Sequence, residues 1–150
     1  MSSRQKLKRI VRLVALRERA RDGAQAELAA AQRACETAQA RVQGAERHWN
    51  EEATKTQDAA LDSVHEFGLR RMHLASLRRE IELAKEVHEQ RLLVERQKID
   101  AAIHAQRELR KMELWGDSEA ELLRVEGERA DQQLTDELAA RIVLHSPSTD

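Results

Sequence analysis

The side chains of this chain that could do chemistry are six histidines, one cysteine and a large set of carboxylates. His48, His65, His73, His88, His104 and His145 could ligate a metal or carry a proton, and Cys35 could act as a nucleophile. Their spacing along the chain supports neither use. No HExxH pair is present, and one cysteine cannot build a structural zinc site. There is no GxxxxGK or GxGxxG loop to cradle phosphates. Carboxylate neighbours such as Glu51 and Glu52 read as solvated helix faces. The sequence therefore predicts no catalytic residue, no cofactor and no metal.

The elements that would have to position such groups are helices. Of 150 residues, 35% are charged and only 2% aromatic, namely Trp49, Phe67 and Trp115. The single proline is Pro147, and there are five glycines. Strands want β-branched and aromatic residues bounded by Gly and Pro turns, so a strand-rich fold is excluded. A thick globular core lacks the large side chains it needs. A hydrophobic fraction of 41% at regular spacing argues against disorder. No apolar run approaches the ~20 residues that span a bilayer, so no direct membrane insertion is expected. The Arg-rich first 21 residues have a transit-peptide flavour, discounted because they carry on the helical pattern. The unpaired Cys35 is compatible with a reducing cytosol.

A heptad frame with position a at Leu7 gives a positions Leu7, Val14, Arg21, Leu28, Cys35, Val42 and Trp49. The d positions are then Ile10, Arg17, Ala24, Ala31, Ala38 and Ala45. From Ala24 to Trp49 every a and d residue is apolar, a coiled-coil seam that places Cys35 in its core. Successive Ala layers let two helices approach closely. The pattern fails between Lys55 and Asp62, and Ser63 with Glu66 then reads as a capping box. A second seam follows through Leu74, Leu77, Ile81, Ala84, His88, Leu92, Ile99, Ala102, Leu109 and Met112. Its consecutive fours at His88 and Leu92 read as a stutter, with His88 a partly exposed spacer.

The fold class predicted is all-α: an elongated two-helix antiparallel coiled-coil hairpin with a longer second helix, making one domain of residues 1–150. Helix 1 is expected over about 4–58 and a turn over about 59–62. Helix 2 then covers about 63–143, with a frayed tail at 144–150. At 1.5 Å per residue the helices would be ~80 and ~120 Å long. Residue i should face residue 120 − i to within a turn. The sequence leaves Gly116 open as either a hinge, with Ser118 and Glu121 as a new capping box, or a residue the helix runs through. Beyond it an apolar stripe, Leu122, Leu123, Val125, Ala130, Leu134, Leu138 and Ile142, has no partner in the chain. Such a stripe calls for an intermolecular one. So narrow a fold offers no concave pocket for catalysis, and an enzyme is not expected.

Charge is segregated although the total is −1, from 26 basic and 27 acidic residues. Residues 1–21 hold eight basic and one acidic residue, net +7, and residues 113–150 hold three basic and ten acidic, net −7. An antiparallel hairpin brings these ends together, which favours a monomer in isolation over a parallel dimer. The acidic end beside the basic one also argues against nucleic acid as a partner.

Several runs resemble the FliJ/YscO family of bacterial type III secretion proteins. Leu7–Ala20 looks like the start of YscO-type members, and Gln32–Cys35 with the Trp49 region looks like the middle of helix 1 in FliJ-type members. Leu74–Arg78, Gln97–Ala102 and Leu114–Trp115 sit where similar runs occur in helix 2. The resemblance covers essentially the whole chain. Few of the aromatics that many flagellar members carry along helix 1 are present, and Gly68 is unusual, which leaves the flagellar and injectisome branches both open.

The resemblance implies a cytoplasmic central stalk at the base of a type III secretion or flagellar export apparatus. Such a stalk inserts into the hexameric export ATPase and couples it to the cytoplasmic domain of the export-gate membrane protein. Some members also handle export chaperones. Candidate ATPase-binding residues are Arg9, Arg12, Leu122, Leu123, Val125, Leu134, Leu138 and Ile142. Candidate gate-binding residues are Arg41, Ala45, His48 and Glu52. The alternative is a coiled-coil scaffold or adaptor with no motor partner.

Overall fold

The computed structural model describes residues 1–58 and 63–146. The expected turn at 59–62 and the last four tail residues lie outside the described residues. Among the described residues there are two helices and no strand: α1, Ser3–Asp58, and the longer α2, Val64–His145. The two run antiparallel. The chain divides into two compact units, Met1–Arg21 with Ala105–Asp150, and Asp22–His104.

Both helices start on a serine. Ser2 Oγ accepts from the Gln5 amide at 3.3 Å while the Ser2 amide donates to Gln5 Oε1 at 3.1 Å, a reciprocal capping box that the sequence reading missed. At α2 the Glu66 amide donates to Ser63 Oγ at 3.1 Å, as the Ser-x-x-Glu signal implies. At the far end α2 persists to His145, whose Nδ1 lies 3.0 Å from the Arg141 carbonyl. The helix thus extends into the segment expected to fray.

In the unit Asp22–His104 the predicted seam of α1 is the packed face. Ala31, Cys35 and Ala38 are buried, and Ala24, Leu28, Val42, Ala45 and Trp49 are half-buried. Leu77 of α2, at 4% exposure, is the large buried side chain here. Small residues bring the helices together but remove little apolar area from water. Arg78 lies over the Trp49 ring at 5.4 Å, closing the side of the seam with a cation–π contact. Lys98 Nζ meets Glu27 at 2.9 Å and Lys85 Nζ meets Glu46 at 3.5 Å. Surface pairs of this kind contribute under about 1 kcal/mol each, so they fix register more than stability.

The second seam differs from its sequence reading. Leu92 is 42% exposed, while Glu95 and Lys98 are half-buried. The 3,4 spacing therefore runs from Leu74, Leu77, Ile81, Ala84 and His88 to Glu95, Lys98 and Ala102, all buried or half-buried, with the exposed Arg91 at the position between His88 and Glu95. No stutter is needed. The error arose from following apolar side chains where the seam itself turns polar. The long stems of Arg and Lys cover apolar neighbours while their charges stay wet. His88 is half-buried, and its Nδ1 is enclosed without a hydrogen-bond partner in the protein.

In the unit Met1–Arg21 with Ala105–Asp150, Ile10 and Leu109 are the fully buried side chains, at 1% and 0% exposure. Leu7, Val14 and Met112 are half-buried, and Arg17, a predicted d residue, is exposed. α2 passes through Gly116 without interruption and without a positive φ, so the hinge reading fails. The glycine serves close approach instead: a Cβ there would lie 3.2 Å from Ile10 Cγ2. Ser3 Oγ donates to Glu126 Oε2 at 3.2 Å, which marks where α1 runs out. In each unit the facing pairs, Glu27 with Lys98 and Ile10 with Gly116, lie further along α2 than 120 − i. The offset is five and six residues in these pairs and reaches nine at Ser3–Glu126 and eleven at Glu46–Lys85, beyond the single turn allowed for. The estimate centred the reversal on residue 60, but side-chain packing, not the midpoint of the connection, sets register.

Candidate interaction surfaces

The first surface belongs to the unit that carries the chain's N-terminus. Every described residue from Glu126 to Ser146 is exposed. Leu134, Leu138 and Ile142 recur every four residues and so share one helix face, while the exposed Val143 and Leu144 point to other sides of the helix. The predicted stripe is not uniform, however. Leu122 is exposed, but Leu123 and Val125 are half-buried where α2 still has α1 beside it. Arg9 and Arg12 are both exposed on α1. Leu7, Ile10 and Val14 with Gly116 and Ala120 line a shallow apolar groove in the same unit.

At the root of the free segment, Arg124 grips Glu121 through two bonds, Nε to Oε2 at 3.0 Å and Nη2 to Oε1 at 2.6 Å. Its Nη1 also reaches Glu128. The hydrogen bonds and then the charge of this fork hold the Glu121 carboxyl below its ordinary range and raise the proton affinity of Arg124. Glu121 is therefore engaged within the helix and does not cap a new one.

The second surface lies in the unit Asp22–His104. Arg41, Ala45, His48 and Glu52 follow one another at spacings of four, three and four on α1, yet they do three different things. Ala45 is a half-buried seam residue. Arg41 is exposed and lines adjoining grooves with Ala38, Leu83, Ala84, Val87 and Arg91. His48 and Glu52 meet His73 of α2: the imidazoles of His48 and His73 stand edge to face, 6.5 Å apart at 84°. Glu52 Oε2 lies 3.9 Å from His73 Nε2, and Glu52 Oε1 lies 3.5 Å from Lys55 Nζ.

The sequence reading missed the exposed Leu83, Val87, Leu92, Leu93 and Val94 beside and beyond Arg41. Continuing the 3,4 count through Arg91, Glu95 and Lys98 would have found the last three, since it leaves Leu92–Val94 outside the seam, and Leu83 and Val87 already fall between the seam positions Ile81, Ala84 and His88. Cys35 is buried, and its thiol is pushed up to about 11 by a hydrogen bond with Glu95 and then by burial. It is a neutral seam residue, not a nucleophile.

No helix among the described residues is long and apolar enough to cross a membrane. The family model described as "Flagellar FliJ protein" matches residues 5–148. No curated protein and no solved structure matches the chain.

Proposed function

The chain belongs to the flagellar FliJ protein family, a family of stalk-like type III export proteins, and on that footing we propose that it is the non-enzymatic central stalk of a bacterial export apparatus. In this reading it works in the cytoplasm at the base of the apparatus. It enters the hexameric export ATPase through the first surface and contacts the cytoplasmic domain of the export-gate protein through the second. Export chaperones are further partners.

The observation that supports this most is the free segment of α2. Leu134, Leu138 and Ile142 are exposed beyond the point where Ser3 meets Glu126. An amphipathic helix without a partner is poorly stable in water, so its apolar face calls for another chain. A stalk inside a ring that turns over ATP should not hold one subunit tightly. Charge-rich contacts with few large anchors suit that, because they guide docking more than they add affinity. Arg9 and Arg12 supply such charge on α1. For the gate, Arg41 and the exposed Leu83 and Val87 offer a mixed polar and apolar surface.

The test is to mix the protein with its cognate export ATPase and follow hexamer formation and ATP turnover. Stimulation by the full chain, and its loss when residues 127–150 are removed, is the expected result. Full stimulation by the truncated chain would dismiss the free segment as the coupling element and leave a scaffold or adaptor as the better reading.

A further inference from the structure

We propose that His48, Glu52 and His73 form a binding site for one divalent transition-metal ion, with zinc as the fitting occupant. The sequence reading rejected a metal because no histidine pair has ligand spacing within one helix. The fold supplies the spacing between helices. His48 and Glu52 stand four residues apart on α1, on one face and one turn apart. His73 comes from α2 on the opposite side. One ligating atom from each of the three lies within 4.8 Å of the other two.

The donor set is two imidazoles and a carboxylate, which zinc takes in three-ligand sites that leave a fourth position open. Ligating atoms around a tetrahedral zinc stand about 3.3 Å apart, given bond lengths of ~2.0–2.1 Å. Glu52 Oε2 and His73 Nε2 are already at 3.9 Å. The edge-to-face rings, 6.5 Å apart, need to close by only about 1 Å for both nitrogens to reach one ion. All three side chains have exposed or half-buried surfaces, so they can turn without moving either helix. The site is therefore accessible from solvent.

The surroundings both help and oppose. Lys55 holds Glu52 Oε1 and leaves Oε2 for the metal, an outer partner that orients the ligating carboxylate. Its positive charge, and that of Arg70 in the same groove, repels a cation. This favours imidazole-seeking ions over calcium or magnesium, which depend on carboxylate charge. A bound ion would tie α1 to α2 near the C-terminal end of α1. Its open position could take a water or a donor from another protein. The proposal stands on this geometry alone and does not depend on the stalk reading.

Zinc chloride titrated calorimetrically into the full-length protein should show one ion per chain. Cobalt(II) in its place should give the intense visible bands of a tetrahedral site. His48→Ala and His73→Ala should each weaken zinc binding at least tenfold, and Glu52→Gln should do so less severely. His65→Ala and His104→Ala should leave it unchanged, and Lys55→Gln should tighten it. Circular dichroism of the metal-free variants checks that each is folded. Zinc binding that survives the double variant His48→Ala/His73→Ala, or no uptake by the folded wild type at millimolar zinc, would overturn the assignment.

Discussion

Ile10 and Gly116 meet so closely that a methyl group added to the glycine would stand 3.2 Å from Ile10 Cγ2. The other four glycines have nothing within 4 Å of such a group. Replacing an exposed helical glycine by alanine stabilises by about 0.5–1 kcal/mol. Gly44→Ala should show that gain in thermal melting. Gly116→Ala should fall short of it, because Ile10 must shift to make room. Gly116→Leu should melt below wild type. Equal gains for both alanine variants would mean that the contact is looser than described.

The seam gives a second test. Ala38 is buried, and Gln39 beside it is exposed. Ala38→Glu forces a carboxylate between close helices and should cost about 2 kcal/mol or more. Gln39→Glu should change the melting temperature little. Similar shifts for the two variants would show that the packed face of α1 has been misassigned.

Both tests depend on features that differed in how plainly the sequence carried them. The α1 seam was legible because Ala24, Ala31, Cys35 and Ala38 are apolar at strict spacing, and only such residues fit between close helices. The middle of α2 was not, because Glu95 and Lys98 occupy seam positions while Leu92–Val94 face outward. Hydropathy signals burial only where burial removes water, and many positions of this two-helix seam stay half-exposed. The role of Gly116 was hidden for another reason. A glycine in a helix looks the same in sequence whether it breaks the helix or admits a neighbour, and only Ile10 across from it decides. The cluster at His73 needed the register between helices, which no count along one helix supplies.

Cys35 makes stability depend on alkaline pH. Its folded-state pKa is raised to about 11 by the bond with Glu95 and by burial, from an ordinary value of 9.0. The unfolded chain therefore loses this proton first. The thiol's contribution is complete below pH 9 and is lost as pH rises towards about 11. Melting temperature followed across this window should fall more steeply for wild type than for Cys35→Ala. Parallel curves would show that the thiol is not held in its neutral form.

The basic start of α1 should act through long-range charge. Arg9→Glu combined with Arg12→Glu is expected to weaken stimulation of the export ATPase without unfolding the protein, since both side chains are exposed. The difference from wild type should shrink as salt is raised, because solvent-exposed charges are screened within about 8–10 Å at 0.1–0.15 M. A defect that is constant across salt would point to a direct contact rather than steering.

The free segment beyond Glu126 also has a kinetic meaning. Its backbone bonds close only within one helix, with no second helix to keep them shut, so they can open one turn at a time. Amides around Cys35 and Leu77 sit in packed layers and can exchange with deuterium only when the helices part. Residues 127–145 should therefore exchange fast in the isolated protein, in a front that stops near the Ser3–Glu126 contact. Their slowing on addition of a binding protein would map the footprint of that protein residue by residue, with no need to know beforehand which protein it is.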